Sequence, residues 1–250
     1  MYNLLIYKPL FNLLLFFYNT VSFGDLGVAI ILLTLVIRLI LYPLFQKSVR
    51  HQTVMQKLQP EIKKIQERHS GNRQKQGEAM MALYKEHRAN PFSGILMLIV
   101  QLPILFALFS IFRNILEPIT KDAVYAFVSI PGVINTHFLG LIPLEQPSIM
   151  IAVLAALGQY FQVRLGLPKY EKGAVLTSAE RMGKQMAIIG PVLTISILWN
   201  FPSALGLYWL TTSLFSIVQQ QIVNRELRHD TVGRIHNEHN DARGVHRLEG

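Results

Sequence analysis

The chain has 250 residues, of which 51% are hydrophobic and only 16% are charged, and it carries a formal net charge of +9. Soluble domains have about 25% charged residues, so this composition favours an integral membrane protein. The chain contains no cysteine, which excludes disulfides, cysteine-ligated zinc and thiol catalysis.

The N-terminal segment, residues 1–23, is interpreted as an interfacial helix on the outer side of the membrane. Its apolar run, residues 10–17, is too short to cross a bilayer, which requires about 20 apolar residues. Aromatic residues around this run are typical of anchors at a membrane surface. A signal peptide is the less favoured interpretation, because no cleavage site with small residues follows the run.

Five later segments have the length and apolarity of membrane-crossing helices. The predicted spans cover residues 24–46, 91–116, 147–166, 185–201 and 203–224. The fourth and fifth spans are separated by Pro202 alone, so we expect a tight hairpin between them. The predicted fold is an all-α integral membrane protein with a five-transmembrane-helix core.

Residues 47–90, between the first two spans, predict a cytoplasmic antiparallel helical hairpin. Apolar residues recur at helical spacing on both sides of the turn "SGNRQKQG", for example Ile62 before it and Leu83 after it. Pro60 should kink or restart the first of these helices. A solvated, charge-rich connector is the alternative, although the segment is longer than a connector needs.

The basic residues predict a multi-pass protein of the cell membrane with its N-terminus outside and its C-terminus in the cytoplasm. Twenty of the 24 Lys and Arg residues lie in the hairpin, in residues 164–184 and in the tail 225–250, which five spans place on one side. Residues 117–146 then form an outer loop and residues 167–184 a cytoplasmic loop. The polar tail is predicted to be basic and disordered. A sixth span over residues 3–23 would move only the N-terminus to the inside.

Catalytic motifs are missing from the sequence. No histidine lies within a predicted span, and the chain has no HExxH, GxSxG or phosphate-binding GxxxxGK[ST] motif. The tail segment "HNEH" is better explained as part of a solvated basic tail than as a metal site. We therefore expect no enzyme activity, no cofactor and no metal.

Arg38 lies in the middle of the first span, where a charge costs from about 3 kcal/mol upward. No Asp or Glu lies in the apolar stretch of any span (26–45 in the first) to pair with it, so a hydrated cationic cavity is favoured over an arginine paired with backbone carbonyls. Such a cavity would attract an acidic or carboxylate-bearing guest.

Each span also carries polar side chains on one face that could line this cavity. These candidates are Thr34, Gln101, Gln159, Gln162, Asn200, Trp209, Thr212 and Ser216. Taken singly, each of them is explained equally well by an interhelical hydrogen bond.

The order and spacing of these segments resemble the YidC/Oxa/Alb family of membrane insertases, in its short bacterial form. The resemblance runs from about Pro9 to Gln221 and rests on several stretches together. They are "TLVIRLILYPL", "MQKLQPEIKKIQERH", "MMALYKEHRANPF", "LIVQLPILFALF" and "FPSALGLYWLTTSLFSIVQQ".

The resemblance implies a membrane protein insertase and chaperone with a groove open to the cytoplasm and to lipid. It implies that Arg38 is the groove arginine and that Thr34, Gln101, Tyr208 and Trp209 belong to the groove lining. The implied partners are nascent membrane proteins, the lipid bilayer, the Sec translocon and, through the basic tail, the ribosome, with no specific nucleic-acid site.

Two other functions are compatible with a membrane protein of this composition. A small transporter or channel with a cationic cavity would be expected to have more intramembrane ionisable groups and often an internal repeat, and neither is present. A purely structural scaffold would leave the unpaired Arg38 unexplained.

Overall fold

A computed structural model describes residues 1–167 and 178–246, and the side chains of residues 1–167 and 181–227. A π-helical turn, Asn3–Tyr7, precedes the first α-helix. The α-helices, in chain order, are α1 Lys8–Thr20, α2 Leu26–Ile40, α3 Tyr42–Lys57, α4 Gln59–Arg68, α5 Arg73–Glu86, α6 Ser93–Arg113, α7 Ile149–Gly166, α8 Ser178–Leu198 and α9 Ser203–His246. Strands β1 His137–Phe138 and β2 Ile142–Pro143 form a short antiparallel pair. The predominantly helical fold that the sequence predicts is thereby confirmed.

One apolar core joins α1, α2, α6, α7 and the first half of α9. Helix α9 packs along both α2 and α7, whereas α8 packs on α7 and hardly touches α9. Helices α8 and α9, on either side of Pro202, are therefore close in the chain, but both pack against α7 more than against each other.

Helix α1 is amphipathic and buries one face against this core. Pro9 stands in its first turn, where a missing N–H costs nothing. Phe11, Leu14 and Leu15 are buried, and α1 packs on α2 and α6. Its position at the membrane surface stays a prediction.

The first predicted span is not one straight helix. Helix α2 ends at Ile40 and α3 begins at Tyr42, with a bend of 69° between them. Pro43 explains the break, because its ring clashes with the preceding turn and it cannot donate a helical hydrogen bond. Pro43 is instead accommodated in the first turn of α3.

Helices α4 and α5 form a small hydrophobic cluster of their own, separate from the main core. Its buried members are Leu58, Ile62, Leu83, Tyr84 and Ala89. The prediction that Pro60 restarts the helix is confirmed, since α3 ends at Lys57 and α4 begins at Gln59. Burial raises the pKa of the Tyr84 hydroxyl above its ordinary value.

Among the described helices, α6 and α7 are long and apolar enough to cross a bilayer, and the bent pair α2–α3 would be a third span if counted as one. Both α6 and α7 expose large apolar side chains, as helices in contact with lipid do. The count of five spans stays a prediction. The prediction of a disordered tail is wrong for residues 225–246, because α9 continues through them to His246.

The predicted outer loop, residues 117–146, is fastened to the N-terminal part of the chain. Five side chains of the first 25 residues exchange hydrogen bonds with its backbone, namely Lys8, Asn12, Tyr18, Asn19 and Asp25. Asp25 also caps α2, because its carboxylate accepts a hydrogen bond from the Val28 N–H at 2.9 Å. The loop is therefore an ordered cover over one end of the helices.

Candidate functional site

A cavity of about 220 Å³ lies where α2, α6, α7 and α9 meet. Its lining residues are Arg38, Gln101, Leu105, Gln159, Gln162, Val163, Tyr208, Trp209, Thr212 and Ser213. Seven of the ten residues predicted for the site contribute to this lining. Helical spacing within each element and the packing of four helices bring them together.

Arg38 is the only charged residue of this lining and is itself only 6% exposed. It stands in the last turn of α2, and its guanidinium carbon lies 4.5 Å from the centre of the Phe45 ring. A ring face attracts a cation but supplies no negative charge. Among the described side chains, no carboxylate pairs with Arg38. Its positive charge is therefore uncompensated by the described protein groups and borders the cavity.

Two side-chain hydrogen bonds tie the cavity walls together. The Gln101 amide of α6 donates to the Tyr208 hydroxyl of α9. The Thr194 hydroxyl of α8 donates to the Gln159 side-chain carbonyl of α7. These bonds leave polar groups at the cavity wall and hold neighbouring helices in register.

Three predicted residues lie outside this cavity. Thr34 is 1% exposed, and its hydroxyl donates to the Ile30 carbonyl at 2.7 Å within the same helix. Asn200 is exposed in the turn after α8, where its amide donates to the Ser196 carbonyl at 3.4 Å. Ser216 lines a different cavity.

That second cavity, of about 300 Å³, shares Gln162 and Val163 with the first. It lies mainly between α3, α7, α8 and α9, and four further glutamines line it, namely Gln52, Gln56, Gln219 and Gln220. Because the two cavities share wall residues, they are neighbours. Arg38 borders the first, and neutral glutamine side chains line the second.

Ser213 is a lining residue that the sequence does not single out. Its hydroxyl oxygen is buried and has no hydrogen-bond partner among the described groups. It follows Thr212 directly and so falls off the stripe of Trp209, Thr212 and Ser216 from which the cavity face is predicted. Tyr208, which also lines the cavity, is predicted only through the family resemblance.

Metal binding has no support in the described part of the chain, where no group of three or more His, Asp or Glu side chains is close enough to hold an ion.

These features define a predominantly helical membrane protein with a buried cationic cavity. Residues 16–230 match the model of the family described as 60Kd inner membrane protein, and the chain belongs to this family. It is therefore a membrane protein, and the resemblance to the insertase family is confirmed. The family is not one of enzymes, which agrees with the sequence prediction.

Two relatives carry the description membrane protein insertase YidC. The protein of Fusobacterium nucleatum is 33% identical over 223 residues, an alignment that covers 88% of this chain and 98% of that protein. The protein of Francisella tularensis subsp. novicida is 36% identical over 202 residues, which cover 81% of this chain but 33% of that protein. The chain thus matches nearly the whole of the first relative and about a third of the second.

A solved structure gives the same result for the fold. The crystal structure of an active YidC insertase with its first transmembrane domain resolved has a TM-score of 0.57 and 30% sequence identity to this chain. The match covers 85% of this chain and 45% of that one.

Proposed function

We propose that this protein is a membrane protein insertase that inserts membrane proteins and helps them fold. Its working site is the cavity beside Arg38, acting as a hydrated cationic groove open to the cytoplasm and to lipid. The observation that carries the proposal is a nearly buried arginine without a described carboxylate partner, bordering a polar cavity between apolar helices. The insertase relatives support the same function.

The physical problem for an insertase is that a polar segment loses its water when it crosses lipid. A polar cavity that reaches part of the way shortens this dry path. A carboxylate about 4 Å from Arg38 would gain about 4 kcal/mol at an effective dielectric constant near 20. Arg38 therefore draws acidic segments inward, and the neutral glutamine-lined cavity next to it receives the polar chain.

The energy for insertion comes from the substrate and the membrane. Transfer of the substrate's apolar helix into lipid contributes roughly 25 cal/mol per Å² of apolar area. The membrane potential adds about 2.3 kcal/mol per charge per 100 mV. No nucleotide is needed for these two terms.

The surrounding parts of the chain have supporting roles in this proposal. Five spans cross the membrane, with the N-terminus outside and the C-terminus in the cytoplasm. The α4–α5 hairpin receives nascent membrane proteins, and the basic tail contacts the ribosome. The protein works alone or beside the Sec translocon.

The test uses proteoliposomes that contain only this protein. A single-span substrate with a short acidic N-terminal tail, and the same substrate with a neutral tail, are assayed for protection from external protease. We expect Arg38→Ala to lower protection of the acidic substrate about tenfold or more, since tenfold corresponds to about 1.4 kcal/mol. Arg38→Lys should restore part of it, because the charge is kept.

Arg113→Ala is the matched control, because this arginine is exposed at the end of α6 and does not line the cavity. It should leave both substrates unaffected. An equal loss for both substrates in Arg38→Ala would contradict a role for the groove charge. No protection by the folded wild-type protein would contradict autonomous insertion, and conductance of the same liposomes would favour a channel.

A further inference from the structure

The charge of Arg38 raises a question that the insertase function does not answer, namely what balances it when no substrate is bound. The side chain is only 6% exposed, and the nearby Phe45 ring brings no negative charge. A buried charge without a counter-charge is costly, and proteins compensate it by pairing. Since none of the described carboxylates pairs with it, the compensation must come from outside the described groups.

The cavity wall near Arg38 offers hydrogen-bond donors and no carboxylate. The Tyr208 hydroxyl, which can both donate and accept, lines the cavity and accepts a hydrogen bond from Gln101. The buried Ser213 hydroxyl has no partner among the described groups and lines the same cavity. A guanidinium together with hydroxyl donors is the chemistry of an anion site.

The cavity is large enough for a small anion with some water. Its volume is about 220 Å³. A water molecule takes about 30 Å³ in the liquid, so the cavity accommodates a halide-sized ion and several waters.

We propose that the Arg38 cavity binds a small inorganic anion of the chloride type as the resident counter-ion of the arginine. An acidic segment entering the cavity then exchanges with this anion rather than meeting a bare charge. The exchange step rests on the proposed insertase function, whereas the binding of the anion does not.

Trp209 allows a direct test, because it lines the cavity and the chain has only two tryptophans. The other, Trp199, is 62% exposed and can be replaced by phenylalanine. The probe is iodide, which quenches tryptophan fluorescence, added to the purified Trp199→Phe protein in detergent micelles at constant ionic strength. We expect saturable quenching of Trp209 that chloride reverses competitively.

Variants in the Trp199→Phe background assign this binding to the cavity. Arg38→Gln should weaken the apparent iodide affinity at least about tenfold, and Ser213→Ala by a few-fold. Arg38→Lys should keep a saturable phase and guards against a folding defect in the glutamine variant. Arg113→Gln removes the same charge at an exposed site and should change nothing.

Three outcomes would overturn the proposal. They are quenching that stays linear in iodide, quenching unaffected by Arg38→Gln, and an equal loss in Arg113→Gln. The insertion assay is separate, because anion binding is measured without substrate. Intact anion binding with no insertion would reject the insertase function alone, and insertion without anion binding would reject the counter-ion alone.

Discussion

Asn12 offers a sharp test of how the outer loop is held, because its side chain joins α1 to that loop. The amide nitrogen donates to the Ala123 carbonyl at 3.0 Å, and the side-chain oxygen accepts from the Tyr125 N–H at 2.6 Å. Asn12 is 2% exposed. Replacing it with leucine keeps the branching of the side chain but adds volume, and it removes both bonds to the loop together with the Asn12 bond to the Lys8 carbonyl.

The expected loss follows from these two contacts. Each hydrogen bond contributes about 1 kcal/mol net, and a buried group left without a partner costs about 1–3 kcal/mol. The loop backbone groups are only half-buried, so water satisfies them in part. We expect Asn12→Leu to lower the free energy of unfolding by about 2–4 kcal/mol, which for a domain of this size lowers Tm by about 5–15 °C.

Asn19→Leu is the control, because Asn19 is exposed and makes one bond to the loop, to the Ser129 carbonyl at 2.7 Å. Thermal unfolding in detergent should show a much smaller change for it. Trypsin cleavage after Lys121 should accelerate in Asn12→Leu and not in Asn19→Leu. Equal Tm values for the two variants would refute the role assigned to Asn12.

Three further predictions concern packing elsewhere. A Cβ on Gly27 would lie 2.1 Å from the Phe138 ring and 2.8 Å from its Cβ, so Gly27→Ala should destabilise by about 1–3 kcal/mol, and thermal unfolding unchanged by it would contradict this contact. A Cβ added at Gly77 within α5 would meet no described atom within 4 Å outside the backbone of its own helix, so Gly77→Ala should stabilise that helix by up to about 1 kcal/mol, measured as slower amide exchange. Gln220 donates to the Thr53 hydroxyl at 3.0 Å between α9 and α3, so Gln220→Leu should cost about 1–3 kcal/mol in thermal unfolding. A double-mutant cycle with Thr53→Val that gives no coupling energy would show that the Gln220–Thr53 bond does not contribute to stability.

Local sequence patterns predict the helices well. They predict helix breaks at prolines less well, as Pro60 and Pro43 show. Pro60 sits in a polar, charge-rich stretch, so its effect on the helix is expected and confirmed. Pro43 sits in an apolar run, and the length criterion for a span hides the bend it causes. The continuation of α9 into residues 225–246 is missed because polar composition argues against a packed core but not against a helix.

The site depends on helix rotation, which periodicity alone does not supply. Gln159 and Gln162 lie three residues apart on α7 and both line the Arg38 cavity. Thr34 lies four residues before Arg38 on α2, yet its hydroxyl bonds back to its own helix. Within one helix, spacing predicts a shared face, but only packing against the neighbouring helices decides which residues of that face reach the cavity.

The bend after α2 shows how a local sequence feature, a proline, affects the packing around Arg38. Phe45 follows Arg38 by seven residues, which in a straight helix would place it about two turns further along. In the structure the chain bends by 69° at Leu41, and the centre of the Phe45 ring lies 4.5 Å from the guanidinium carbon of Arg38. The ring that packs on the Arg38 guanidinium is therefore placed by a bend at Pro43, a residue without polar chemistry. This is why a search for polar residues alone finds the charge of the site but not the element that shapes it.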